Sequence, residues 1–194
     1  DRGQRQRYTI GLTAYRIGIN YTNNLNFINV IEPEMRAFAK EVGKTVFFGV
    51  RSDHEVVYIC KTEPENPIIT TATVGTKNPM YCTSLGKAIL AYSDEETCGQ
   101  ILARMKFKKH TERTITDTES LKRELERVRD QGYALDEREV EEHMECVGAP
   151  VFGPDGSVVG ALSVSSLYKP TEDYEQLGRL PFWQSAAPAV HSPP

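Results

Sequence analysis

Between Met144 and Ser165, two apolar, β-rich runs, MECVGAPVF and SVVGALSVS, flank the four residues Gly153-Pro154-Asp155-Gly156. Proline presets the backbone for the second position of a turn, and glycine suits the fourth, so the segment predicts a tight turn and an antiparallel hairpin. A tight turn sets Phe152 opposite Ser157, Cys146 opposite Ser163 and Met144 opposite Ser165. Opposed residues share a face of a sheet, and so do residues two apart on one strand. Met144, Cys146, Ser163 and Ser165 therefore line one face, with Val147, Leu162 and Val164 on the other. A bulge of one residue would break that grouping. Strands this apolar normally build a core, so small polar side chains on one face predict a lined cavity. Asp136, in the acidic stretch after Gly132, adds a carboxyl beside it.

The rest of the chain supplies helices and a second group of strands. YTIGLTAYRIGIN (8–20) has apolar residues at helical spacing, and Leu25, Ile28, Ile31, Met35, Phe38 and Ala39 continue the pattern up to the stop at Gly43. Pro33 is expected to restart or kink that helix. TVFFGV (45–50), EVVYICKTE (55–63) and ITTATV (69–74) read as strands, the first two joined through Ser52-Asp53-His54. PMYCTSLGKAILAY (79–92) reads as a strand end turning into a helix, with Thr83 or Ser84 as cap. Ser93 and Glu96 form a capping-box pattern for a second helix. Asp117 to Gln131 is the clearest amphipathic helix, with Leu121, Leu125 and Val128 on one side and Glu124, Glu126, Arg127 and Arg129 toward water. Pro181 is expected to stop a short helical pattern, leaving PFWQSAAPAVHSPP non-helical.

Composition narrows the classes. A chain of 194 residues is long enough for one domain with a sizeable core. A net charge of -4 does not suit it to bind phosphate backbones by itself. No run of apolar residues is long enough to span a membrane. The four cysteines, Cys60, Cys82, Cys98 and Cys146, are widely spaced, which fits a reduced, cytoplasmic setting and no structural metal site.

PMYCTSLGKAILAY together with GYALDEREVEEHMECVGAPVFGPDGSVVGALSVS resembles the IclR family of bacterial transcription regulators, specifically their C-terminal effector-binding domain. The resemblance covers about Tyr8 to Gly178. Its second motif is the more specific: Gly132, Asp136, Glu139 and Cys146 at fixed spacing, followed by VGAPVF. It implies an α+β fold, an antiparallel sheet flanked by helices, of the GAF or profilin-like kind. It implies residues 1–24 as the remnant of a linker helix after a winged helix-turn-helix that this chain does not carry. Residues 25–180 would be the effector-binding domain and 181–194 an atypical, disordered tail. It further implies a homodimer or homotetramer, DNA contact only through the absent domain, repressors among its kin, and no cofactor.

The resemblance also implies a site. The backbone amides of Ser84 and Leu85 match those that hold a small oxo-acid's carboxylate, which suits the unpaired N–H groups of a helix start. Asp136, Cys146, Ser163 and Ser165 match hydrogen-bonding positions, and Met144 and Thr70 match wall positions. The family favours small residues where Leu85 stands, so the preferred ligand is expected to differ. Each residue also has an ordinary structural reading: Cys146 as an inert buried thiol, Ser163 and Ser165 bonded to backbone, Asp136 as a loop brace, Ser84 as a cap, Lys87 as a solvated surface lysine. The leading expectation is a sensor of a small carboxylate. The alternatives are a ligand-free oligomerisation domain and an enzyme with Cys146 or Cys82 as nucleophile. The enzyme lacks a visible base, because His143 lies three residues from Cys146 and so on the opposite face of the strand.

Overall fold

The computed structural model describes residues 26–67 and 72–185. Helix α1 (Asn26–Val42) is followed by β1 (Thr45–Ser52), β2 (Glu55–Thr62) and β3 (Lys77–Pro79). A single 3-10 turn (Met80–Cys82) leads into α2 (Ser84–Tyr92), α3 (Glu95–Arg104) and α4 (Thr118–Gln131). The chain then adds β4 (Ala134–Glu137), β5 (Met144–Phe152), β6 (Val158–Leu167), α5 (Tyr174–Gly178) and α6 (Pro181–Ser185). The strands form one antiparallel sheet in the order β3-β2-β1-β6-β5-β4. Among the described residues, no helix is long and apolar enough to cross a membrane.

Both faces of the sheet are covered, which fits the α+β expectation. On one face, Leu85, Ala88 and Ile89 of α2, Cys98 and Ile101 of α3, and Leu121, Leu125 and Val128 of α4 pack on Phe47, Val56, Ala134 and Ala161. On the other, Met35, Phe38 and Ala39 of α1 join Trp183 over Val46, Phe48, Val147, Leu162 and Val164. The helix ends follow side-chain chemistry. Asp117 caps α4 by accepting from Ser120 N, and Gly132 closes it at φ 86 in the left-handed region.

The hairpin corrects the expected register. The turn forms, with Gly156 N donating to Gly153 O at 3.0 Å. However, Gly156 adopts φ 79, and Ser157 N–Asp155 and Ser157 O–Gly153 N bonds keep Ser157 in the loop. Phe152 therefore pairs with Val158, and a second slip between Val151 and Phe152 puts Val151 opposite Gly160. Cys146 ends opposite Ser165, Gly148 opposite Ser163 and Met144 opposite Leu167. Two single-residue slips cancel in parity, so the same side chains stay on the same face although each partner moved by two.

Other expectations also changed. Pro33 starts no new segment and sits within α1, so of the two outcomes expected of it only the kink is compatible with a single helix. Residues 72–74 form no strand; the third strand starts only after the turn at Gly75, φ 90. Ser93 closes α2 by donating to Ile89 O, so Asp94 caps α3 instead. β4, too short and acidic to be read from sequence, pairs only with β5. Pro181 does not end the fold. It opens α6, where its missing N–H costs nothing. Phe182 stacks on Phe38 at 3.8 Å, and Trp183 Nε1 donates to Leu177 O at 2.7 Å. The expected disorder is thus corrected over 181–185, while 1–25, 68–71 and 186–194 lie outside the described residues.

One glycine fixes how the 3-10 turn meets α2. A Cβ at Gly86 would lie 2.2 Å from Met80 Cα and 2.5 Å from Met80 O, both backbone atoms. Gly86→Ala must push the two segments apart. Urea unfolding should show it less stable by about 3 kcal/mol, seen as a lower midpoint at unchanged slope. An unchanged midpoint would contradict this packing.

Candidate functional site

α2 begins where the chain crosses from the 3-10 turn onto the sheet. Thr83 caps it: its Oγ1 accepts from Gly86 N at 3.1 Å and donates to Pro79 O at 2.9 Å. Its carbonyl receives Lys87 N at 2.9 Å. The amides of Ser84 and Leu85 are left as the first two of the helix, with no acceptor inside it. That end rests on the sheet: a Cβ at Gly148 would lie 3.1 Å from Ser84 Cβ, and one at Gly49 would lie 3.2 Å from Leu85 Cδ1. The Leu85 side chain therefore packs down onto β1, and its amide stays at the helix start. Two bare glycines let the positive end of a helix dipole approach the sheet.

Beneath it runs a polar row. Asp136 of β4 pairs with Cys146 of β5, Cys146 with Ser165 of β6, and Ser165 with Thr45 of β1. Directly paired residues share a face, so the four side chains cross four strands in line. Cys146 Sγ donates to Ser165 Oγ at 3.2 Å. Ser163, opposite Gly148, lies in the next row under the start of α2. The structure thus brings together Ser84, Leu85, Asp136, Cys146, Ser163 and Ser165. Met144 lies at the end of β5 opposite Leu167, at the margin of the group. Thr70 lies outside the described residues. The sequence reading missed Thr45, which is fully buried and whose hydroxyl has no partner.

Electrostatics separate the row from a reactive centre. Burial pushes the Cys146 thiol up, and the charge of Asp136 pushes it further, against the hydrogen bond to Ser165. Burial likewise raises Cys82, with Asp136 and Glu139 adding to it. Neither thiol is a thiolate at neutral pH. Asp136, 4% exposed, is raised to about 7, first by burial and then by Glu139, with Lys87 and two backbone amides opposing. Its Oδ1 accepts from Glu139 N at 2.7 Å.

Lys87 is the clearest correction to the sequence reading. Far from solvated, it is 1% exposed, and its Nζ donates to Glu139 at 2.5 Å and Glu124 at 3.1 Å. Burial pulls its pKa down, but Glu139 and Glu124 outweigh that and hold it charged. Burial in turn raises Glu139 despite Lys87. Glu124, expected to face water, is 10% exposed and also receives Arg127 Nε at 2.9 Å. Thr111 and Thr114 donate to the carbonyls of Arg138 and Glu139, both at 2.7 Å. The loop carrying Glu139 is therefore stapled on both sides, and Asp136 is held beneath it. The available signal was that Lys87 is the only charge in the apolar run SLGKAILAY.

Comparison with known proteins shows the family and the fold. Residues 19–180 match the family described as bacterial transcriptional regulator IclR, C-terminal. The chain is 34% identical over 163 residues to the HTH-type transcriptional regulator KdgR of Escherichia coli strain K12, covering 84% of this chain and 62% of that protein. It is 31% identical over 156 residues to the HTH-type transcriptional repressor AllR of Salmonella typhi, covering 80% and 57%. The crystal structure of Thermotoga maritima IclR aligns with a TM-score of 0.83 at 30% identity, covering 93% of this chain and 73% of that one. That of the C-terminal domain of E. coli KdgR aligns at 0.73 and 32% identity, covering 82% and 93%. The chain spans between 53% and 62% of the length of the first four curated relatives.

Removing one member of a buried ion cluster leaves the rest uncompensated. Lys87→Met should lose about 3–5 kcal/mol near pH 7 in urea unfolding. Glu139 is already raised, so without Lys87 it prefers its proton still more, and protonation removes the burden as pH falls. The deficit should therefore be larger at pH 8 than at pH 5. A deficit independent of pH would contradict the cluster.

Proposed function

The chain belongs to the IclR family of bacterial transcriptional regulators, as their C-terminal domain, and we propose that it senses a small carboxylic acid and passes that state to a DNA-binding domain. The observation that carries this reading is the polar row Asp136–Cys146–Ser165 under the start of α2. The amides of Ser84 and Leu85 would take the guest's carboxylate. Protonated Asp136, Cys146, Ser163 and Ser165 would bond its other oxygens.

Transmission follows from what holds Asp136. Its neighbour Glu139 is tied to Lys87 of α2 and through it to Glu124 of α4. A guest that shifts Asp136 or its charge acts on a buried ion cluster between two helices. Ligand can bias a dimer or tetramer only by binding its states unequally, and this cluster is an element on which such a difference can act. Winged helix-turn-helix domains carried on that assembly would then change spacing. We read the domain as a sensor and not an enzyme, since its thiols are held protonated and His143 is exposed.

Titration of the protein with glyoxylate, pyruvate, sugar acids and aromatic acids by calorimetry tests the reading directly. At least one should bind, and Cys146→Ala should weaken that acid by about ten-fold, the worth of one buried hydrogen bond. Unchanged affinity would remove Cys146 from the site. The pH dependence has a definite sign. Asp136 is raised to about 7, so below that it can donate to an anion and above it repels one. The dissociation constant should rise with pH above 7, by up to roughly ten-fold per unit, and Asp136→Asn should flatten the profile. Binding that tightens with pH would overturn the assigned role of Asp136.

A further inference from the structure

Tyr58 of β2 pairs with Gly49 of β1, the glycine on which Leu85 at the start of α2 rests, and it shares the α2-side core with Phe47 and Leu85. The residue is 8% exposed, and burial pushes its phenol up, so it stays a neutral donor. Its position is fixed twice. The ring packs against Phe47 at 5.0 Å between centroids, and Phe47 is the register partner of Ser163 in the site. The hydroxyl oxygen accepts from Asn78 Nδ2 at 3.0 Å, and Asn78 is held on β3 opposite Val56. A phenol has one proton to donate besides the lone pairs it offers. With Asn78 as donor, that proton has no acceptor among the described residues. A buried donor without a partner costs about 1–3 kcal/mol, so a fixed phenol facing a polar site is matched to an oxygen that arrives with a guest.

We propose that Tyr58, positioned by Asn78, donates a hydrogen bond to a second oxygen of the bound acid, on the wall opposite Asp136, and so selects for acids with a distal hydroxyl, oxo or carboxyl group. This rests on the sensor reading above and deepens it. The carboxylate end lies under α2, whose start rests on Gly148 of β5 and Gly49 of β1, whereas Tyr58 stands beyond them on β2. From β5 to β2 is three strand spacings, about 14 Å at the backbone, part of which the long Tyr58 side chain covers. An acid whose oxygens sit on adjacent carbons cannot reach both walls, and a longer one can.

The test compares glyoxylate and pyruvate with gluconate and 2-oxoglutarate by calorimetry, on the unaltered protein and on Tyr58→Phe, which keeps the ring and removes the donor. At least one longer acid should bind the unaltered protein more tightly than glyoxylate. Tyr58→Phe should weaken that acid by roughly ten-fold and glyoxylate by less than about two-fold. Retained glyoxylate binding also reports that the variant is folded. Asn78→Ala, which frees the phenol to turn, should weaken the longer acid in the same direction. The inference is overturned if the longer acids bind no tighter than glyoxylate, or if the variants change long and short acids alike or not at all. If none of the four acids binds the unaltered protein, the carboxylate-sensor reading fails first and this inference falls with it.

Discussion

A buried lysine between two carboxylates organises this domain. Lys87 carries its charge into the interior on α2, and Glu139 and Glu124 meet it from the β4–β5 loop and from α4. A lone charge there would be expelled or neutralised, so the three elements must assemble together. The consequence for the site is geometric. Glu139 cannot reach Lys87 unless its loop folds inward, and its backbone N–H then bonds Asp136. Thr111 and Thr114 fasten the same loop from outside. The Asp136 carboxyl is thereby placed through the backbone of Glu139, a member of the cluster.

The site combines groups that separate elements could not supply. α2 brings two unpaired amides and the positive end of its dipole, and it can approach only because Gly148 and Gly49 carry no side chain. The sheet brings a row of short polar side chains across β4, β5, β6 and β1. The apolar shell of Leu85, Val56 and Phe47 excludes water, which strengthens each polar contact inside. The same shell raises Asp136 and Cys146, so on the proposed reading an anion arriving below about pH 7 would meet neutral donors there.

Much of this was legible in the residues, for identifiable reasons. The α4 stripe of Leu121, Leu125 and Val128 is a local signal, and it read correctly. The face shared by Cys146, Ser163 and Ser165 was also legible, although each predicted partner was wrong by two. Strand periodicity depends on parity, and two slips near Gly156 and Val151 restored it. What stayed hidden depends on tertiary context. Lys87 reads as surface because its partners lie 37 and 52 residues away. Thr45 joins the polar row only through strand pairing, and the same pairing sets Tyr58 beside Gly49. Pro181 reads as a stop, but a proline also opens a helix, and only the contact of Phe182 with Phe38 decides between them.

The proton on Asp136 is where fold and function meet, and its titration can be followed directly. The side-chain carboxyl carbon of Asp136, assigned by its loss in Asp136→Asn, can be tracked by NMR across pH with and without glyoxylate. A carboxyl buried beside Glu139 should titrate near 7 in the free protein and higher when the anion is bound. A titration near the ordinary 3.8, unmoved by glyoxylate, would contradict the buried cluster and the carboxylate site together.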